Sequence, residues 1–268
     1  MGEFFKIALG QIQVADNASD NIKQCEKYMR EAAQEGARLI VFPEGIIARN
    51  PQDASWTRKH AEPLDGPFVT ALARASESFS IAVDCTVHVP DPALEGKVRN
   101  AHIVLDRGLL LARYDKLHLY DAFSAKESDD VVAGDTVPAV VEIDGWHFGL
   151  MTCYDLRFPE LARRLALDGA QVLLVPSAWV RGPLKESHWE IMARARALEN
   201  TVYVAAVSET SLKNIGSSML VDPLGVAVSR AGSAPGLVTA VMSKAALAGA
   251  REALPVLANR RFAKPQLG

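Results

Sequence analysis

Two compact apolar runs, Arg38 to Phe42 and Val172 to Pro176, constrain the fold most, because neither alternates apolar with polar residues as a half-exposed strand would. Strands of this type are buried on both faces, and each run follows a segment with helical periodicity. From Asn21 to Ala37 the residues Ile22, Cys25, Met29 and Ala32 recur at helical spacing among charges, Asn17 or Ser19 can cap the helix, and Gly36 marks its end. A second helix, from about Pro159 to Asp168, leads into the second run. Strands that need helices over them indicate an α/β protein.

The rest of the chain adds antiparallel character. Phe5, Ile7 and Leu9 alternate with Lys6, Ala8 and Gly10 as a first strand. Pro67 to Ser78 reads as helix and Ile81 to Val89 as strand. Ala101 to Leu105 and Leu109 to Arg113 form a hairpin around Asp106-Arg107-Gly108, and Val140 to Ile143 pairs with His147 to Thr152 around Asp144-Gly145. Leu184 to Glu199 is an amphipathic helix. Strands at Val202 to Val207, Ser218 to Val221, Val226 to Ser229 and Leu237 to Val241 complete the body, and an extended tail is expected after Leu254. Two sheets covered by helices fit this mixture. No repeat or low-complexity linker interrupts it, so residues 1–268 are expected to form one domain.

Composition excludes several function classes. With 49% hydrophobic and 23% charged residues the chain has material for a core and no disorder signature. A net charge of −3 and the lack of a basic run interleaved with aromatics argue against nucleic acid as a partner. No window reaches the ~18 apolar residues of a membrane span, and Met1 to Gly10 lacks the pattern of a signal peptide, so no membrane association is expected. Cys25, Cys85 and Cys153 are sparse, odd in number and without a CxxC pair, which fits free thiols in a reducing, cytoplasmic setting. Neither metal-ligand spacing nor a glycine-rich nucleotide loop occurs.

Three segments place a polar or reactive residue where an apolar strand ends: Val41-Phe42-Pro43-Glu44-Gly45, Tyr114-Asp115-Lys116-Leu117-His118-Leu119, and Leu150-Met151-Thr152-Cys153-Tyr154-Asp155-Leu156-Arg157-Phe158-Pro159-Glu160. Sheets hold side chains rigidly at such ends while the following loops open room for a ligand. In order and separation the segments resemble the Glu, Lys and Cys motifs of the nitrilase superfamily. The resemblance implies a four-layer αββα sandwich, Cys153 as nucleophile, Glu44 as general base and proton shuttle, and Lys116 as stabiliser of the tetrahedral intermediate. It also implies a second glutamate that positions substrate or water, matched by Glu127 in Ala125-Lys126-Glu127-Ser128, and a homodimer joined through the Cys153 helix and the Leu184 to Glu199 helix.

Physical chemistry supports these roles independently. A thiol with a reference pKa of ~8.5 is mostly protonated at neutral pH, so it needs a base or a neighbouring cation, which Glu44 and Lys116 can be. The oxyanion that forms on an attacked amide would be met by Lys116 and a backbone N–H such as that of Tyr154. No metal or organic cofactor is required. Cys25 and Cys85 read as small core hydrophobes, His118 as a structural hydrogen-bonding residue, and Arg157, Glu160, Arg194, Arg196 and Glu199 as an ion-pair network. Trp179 and His188 are pocket-lining candidates, although loop and helix aromatics more often pack.

The stretch from His118 to Ser128 and Lys185-Glu186-Ser187-His188-Trp189 narrow the resemblance to amidases of a small keto-acid amide, with deaminated glutathione as the expected substrate. An ω-amide such as α-ketoglutaramate is the alternative, followed by a nitrile or a non-catalytic interaction role. A substrate carboxylate distant from the scissile bond calls for a cation at the far end of the pocket, and Arg181 or Lys185 could supply it.

Overall fold

The computed structural model describes residues 2–262 except 54 and 124. Strands β1 (Phe4–Gln11), β2 (Leu39–Val41), β3 (Ala82–Pro90), β4 (Val98–Asp106) and β5 (Leu109–Asp115) form one sheet. Strands β6 (Val141–Ile143), β7 (Trp146–Leu150), β8 (Val172–Ser177), β9 (Tyr203–Ser208), β10 (Met219–Val221) and β11 (Ala227–Arg230) form a second, and β12 (Gly236–Ser243) returns to the first beside β1. The orders β12-β1-β2-β3-β4-β5 and β11-β10-β9-β8-β7-β6 share one plan. Three parallel strands, β1-β2-β3 or β7-β8-β9, lie at the centre of each sheet and antiparallel strands flank them.

Helices α1 (Ala18–Gln34) and α3 (Pro67–Phe79) cover the outer face of the first sheet, while α4 (Pro159–Leu167) and α5 (Lys185–Asn200) cover the second. The four αββα layers follow from the sequence pattern. Phe5, Ile7 and Leu9 of β1 face the second sheet, whereas Ala8 joins the core beneath α1 and α3, so the period-two strand is buried on both faces. A Cβ at Gly10 would lie 2.7 Å from the Phe42 ring, so only glycine admits that contact. Between the sheets Phe5 packs against Trp146 and Phe148 at ring separations of 5.9 and 5.3 Å.

Both two-residue hairpin turns are left-handed throughout, Arg107-Gly108 at φ 50° and 81° and Asp144-Gly145 at 49° and 77°, which suits the twist of the paired strands. Asn17, rather than Ser19, caps α1 by accepting the Asp20 N–H at 2.9 Å. Sequence expectation fails at the C-terminus. Before Leu254, where no element was expected, Ser243 caps α6 (Lys244–Ala253), whose Leu247 and Ala250 are buried; after it, the short helix α7 (Val256–Asn259) replaces the start of the expected extended tail, and the tail beyond Phe262 lies outside the described residues. The short helix α2 (Trp56–Lys59) was also not anticipated. Strand β7 ends at Leu150, two residues earlier than expected, because Thr152 caps a 3-10 turn over Cys153–Arg157. No helix among the described residues is long and apolar enough to cross a membrane.

Candidate active site

Glu44, Lys116 and Cys153 come together where β2, β5 and β7 end. Glu44 follows Pro43 after β2, and its backbone N–H donates to the Ser177 carbonyl at 3.2 Å, tying the loop to the end of β8 in the other sheet. Lys116 follows β5 and donates its backbone N–H to the Asn100 carbonyl at 3.0 Å. Cys153 opens the 3-10 turn with φ 45°, a left-handed conformation costly for a residue with a side chain. This sharp exit from strand to helix presents the thiol at the top of the sheet.

Lys116 is buried between two carboxylates. Its Nζ lies 2.9 Å from Glu44 Oε1 and 2.9 Å from Glu127 Oε2, so three of the four sequence-derived residues meet at one ammonium, and Cys153 lines the same cavity. Glu127, in a 3-10 turn over Glu127–Asp129, also accepts the Tyr120 N–H at 2.6 Å. The second Glu44 oxygen accepts the Ala178 N–H at 2.9 Å. Glu127 engages the ammonium through both oxygens, the other at 3.1 Å, so the three Lys116 donors face carboxylates and the longest contact is the one a ligand oxygen can displace.

The charges set opposite protonation tendencies at Glu44 and Cys153. Burial works to raise the Glu44 pKa, but the Lys116 ammonium outweighs it and holds the carboxylate at about 2. Burial pushes the Cys153 thiol well above its ordinary range, and the Glu44 charge adds to this while Lys116 opposes it. The resting pair is therefore a thiol hydrogen-bonded to a carboxylate. Desolvation would lower the Lys116 pKa, yet Glu127 and then Glu44 raise it well above the usual lysine value. Such a triplet can accept a proton from sulfur at Glu44 while Lys116 remains a fixed positive charge.

These groups line a cavity of about 550 Å³, within the ~300–1,000 Å³ common for small-molecule sites. Of the sequence-derived pocket candidates, Tyr154, Trp179 and Lys185 line it. Lys185 donates to the Tyr120 hydroxyl at 2.8 Å and sits 3.6 Å from the Phe123 ring centroid. Burial, with Arg157 adding to it, lowers its pKa. Arg181 and His188 are not among the lining residues. Arg181 turns to Glu186 at 3.6 Å and to the Ser211 carbonyl, because the backbone bond from its N–H to the Lys213 carbonyl directs that loop outward. His188 lies one turn into α5 beside the buried Trp189, away from the cavity.

Sequence reading missed two site residues. Asn100 donates to Glu44 Oε1 at 2.7 Å; it lies inside β4, which starts three residues before the expected Ala101, so residue order gave no signal for it. Arg157 had been assigned to an ion-pair network, but no carboxylate pairs with it among the described residues. Its guanidinium lies 5.0 Å from the Trp179 ring centroid and 5.9 Å from that of Tyr154, its Nη1 contacts Met192 sulfur at 3.8 Å, and its Nε and Nη2 are buried with no protein partner. Within that expected network Arg196 does pair with Glu199, at 2.7 Å, whereas Arg194 pairs with Glu190. His118 plays the structural part read for it, pairing with Asp155 at 2.7 Å and stacking on Phe158.

Comparison with known proteins agrees with this geometry. The model of the carbon-nitrogen hydrolase family matches residues 6–252. The chain is 44% identical over 261 residues, 97% of its length and 99% of the relative's, to a deaminated glutathione amidase of Escherichia coli O157:H7. Its fold is similar to that of the Caenorhabditis elegans NitFhit protein, with TM-score 0.90 and 27% identity over 97% of this chain, which spans 65% of that protein's length. It is also similar, with TM-score 0.82 and 25% identity over 96% of this chain and 94% of the other, to an amidase of Nesterenkonia sp. AN1 carrying a covalent acetamide moiety on its active-site cysteine. The chain belongs to the carbon-nitrogen hydrolase family of the nitrilase superfamily.

Proposed function

We propose that this hydrolase cleaves amides of an α-keto acid, deaminated glutathione foremost, through a thioester on Cys153. Glu44 takes the thiol proton as sulfur bonds to the amide carbon, and the carbonyl electron pair moves to oxygen. That oxyanion is met by the Lys116 ammonium, which exchanges its longer Glu127 contact for it, and by the Tyr154 N–H, which lies in the first turn of a helix where backbone donors lack intrahelical acceptors. Collapse breaks the carbon-nitrogen bond, and Glu44 passes its proton to the departing amine. Water, held near Glu127 and deprotonated by Glu44, then attacks the thioester, and the released sulfur regains its proton. The acetamide adduct that fluoroacetamide leaves on the active-site cysteine of a mutant of the similar Nesterenkonia amidase supports a nucleophilic cysteine at this position of the fold.

The observation that carries the substrate class is Arg157. A guanidinium that lines the cavity of the nucleophile, with no carboxylate pairing with it among the described residues, supports an anionic substrate group, and a carboxylate matches its fork. Lys185 adds a second cation on the same wall. Deaminated glutathione and α-ketoglutaramate carry the same keto-acid half, so Arg157 selects the acyl group and cannot choose between them. Room for the leaving amine makes that choice. The cavity's volume accommodates the dipeptide that leaves from deaminated glutathione, and the 44% identical relative bears that substrate in its name.

Turnover of deaminated glutathione, α-ketoglutaramate and an uncharged aliphatic amide tests the reading. The highest kcat/KM should fall to deaminated glutathione, and Arg157→Met should cost about 2 to 5 kcal/mol of transition-state stabilisation for both keto acids. Equal or better turnover of α-ketoglutaramate would make the chain an ω-amidase. Preference for the uncharged amide would reject the keto-acid assignment.

The assembly proposed is a two-fold dimer through α5. Ile191 and Leu198 of α5 and Val226 and Val228 near β11 are exposed, and Leu198 abuts Gly225, which makes one apolar face. A monomer at micromolar concentration in sedimentation would contradict it. A cytoplasmic setting is proposed with it, supported by the three free thiols.

A further inference from the structure

A chain of polar groups crosses the space between the sheets directly beneath the nucleophile. Asp84 of β3, His102 of β4 and Thr152 are all buried. His102 Nε2 lies 2.6 Å from Asp84 Oδ1, and its Nδ1 lies 3.2 Å from Thr152 Oγ1. Thr152 follows β7 of the other sheet and is the N-cap of the turn that begins at Cys153. Its hydroxyl accepts the Asp155 N–H, and its own N–H donates to Asp155 Oδ2 at 2.8 Å. An imidazole proton at Nε2, facing the Asp84 carboxylate, leaves Nδ1 as the acceptor for the Thr152 hydroxyl proton. Asp155 is fixed in turn by the Tyr114 hydroxyl at 2.8 Å and by His118.

Packing alone does not call for this arrangement. Apolar residues of similar volume would fill an inter-sheet core at least as well, and Asp84 Oδ2 is left buried without a partner. What the chain does hold is Cys153, whose φ of 45° persists only if its surroundings over-determine it. Its preceding residue is the one that His102 ties to the opposite sheet.

We propose that Asp84 and His102 are positioning residues for the reaction, acting through Thr152 to lock the Cys153 turn against Glu44 and Lys116 of the opposite sheet. The test rests on Cys153 being the nucleophile, so iodoacetamide labelling of Cys153, which needs no substrate, is measured beside kcat and KM. Thr152→Val, His102→Gln and Asp84→Asn should each lower kcat, by up to about 10²-fold for Thr152→Val, with KM little changed, because a small displacement of reacting atoms costs rate before it costs binding. Labelling of Cys153 should slow in step. Thr152→Ser, which keeps the hydroxyl, should restore both. Phe5→Leu, an inter-sheet core change outside the chain of groups, should lower Tm while leaving kcat and labelling unchanged.

The proposal is overturned if folded Thr152→Val or His102→Gln protein keeps wild-type kcat and labelling. It is equally overturned if Phe5→Leu, at matched loss of Tm, reduces kcat as much as they do. Should labelling slow as expected while Cys153→Ala retains turnover, positioning of the thiol stands and the nucleophile assignment fails.

Discussion

Lys116 Nζ and Glu44 Oε1 are 2.9 Å apart across 72 residues of sequence, and both side chains are almost wholly withdrawn from solvent. An ammonium and a carboxylate buried together stay charged only as a unit, since removing either leaves the other desolvated and unpaired. Chemistry and local stability are therefore linked at this pair.

Removing any member of the constellation should abolish or cripple turnover. Cys153→Ala is expected to show none, and Glu44→Gln and Lys116→Ala to lower kcat by about 10² to 10⁴-fold each. The double variant should lose little more than the worse single one, because groups acting as a unit fail together. Steady-state rates of the purified variants check this, and additive losses would show that the two act separately.

Glu127 bonds to both Lys116 and the Tyr120 N–H, so its two functions can be separated. Glu127→Gln keeps an acceptor for Tyr120 and should lower kcat by up to about 10²-fold with KM nearly constant. Glu127→Ala releases the Tyr120 segment as well and should raise KM. Identical kinetics for the two would argue that Glu127 acts through charge alone.

Stability should fall in acid in a manner traceable to Glu44. Its carboxyl is held at about 2 when folded, against an ordinary value of 4.5, with Lys116 outweighing burial. A depressed folded pKa contributes stability that is complete above the unfolded value and lost as pH falls toward the folded one. Chemical denaturation between pH 5 and 2.5 should therefore show a steeper loss for the wild type than for Glu44→Gln. Parallel curves would mean that the folded carboxyl titrates normally.

Trp146 is fully buried between the sheets against Phe5 and Tyr203, remote from the cavity lining. Trp146→Ala should cost about 3 to 5 kcal/mol of stability, as large-to-small core changes do. The rate per folded molecule should not change. Urea melts and titration of active sites would separate the two quantities.

The sequence conveyed the layers because apolar runs and helical spacing are local properties, and Leu39–Val41 and Val172–Ser177 did become central parallel strands. It brought Glu44, Lys116, Glu127 and Cys153 forward as candidates because they stand in a recognisable motif pattern, and the fold places all four on one cavity. Arg157 was misread since an arginine beside acidic residues in sequence looks paired, whereas the fold carries Glu160 into α4 and leaves the guanidinium over Trp179. Arg181 was misread for the opposite reason. It sits in the right loop, but its backbone bond to Lys213 sets the direction of the side chain, and such a bond leaves no trace in residue order. Helix α6 was missed because its alanines and glycine carry little periodic signal until Leu247 and Ala250 find a sheet to cover.

Intact-mass measurement of enzyme quenched in acid during turnover of deaminated glutathione tests the central claim most directly. The wild type should carry one added α-ketoglutaryl group, mapped by peptide digestion to Cys153, and Cys153→Ala should carry none and release no product. Turnover by the wild type with no acyl adduct at any quench time, joined to turnover by Cys153→Ala or an adduct on Cys25 or Cys85, would contradict the mechanism.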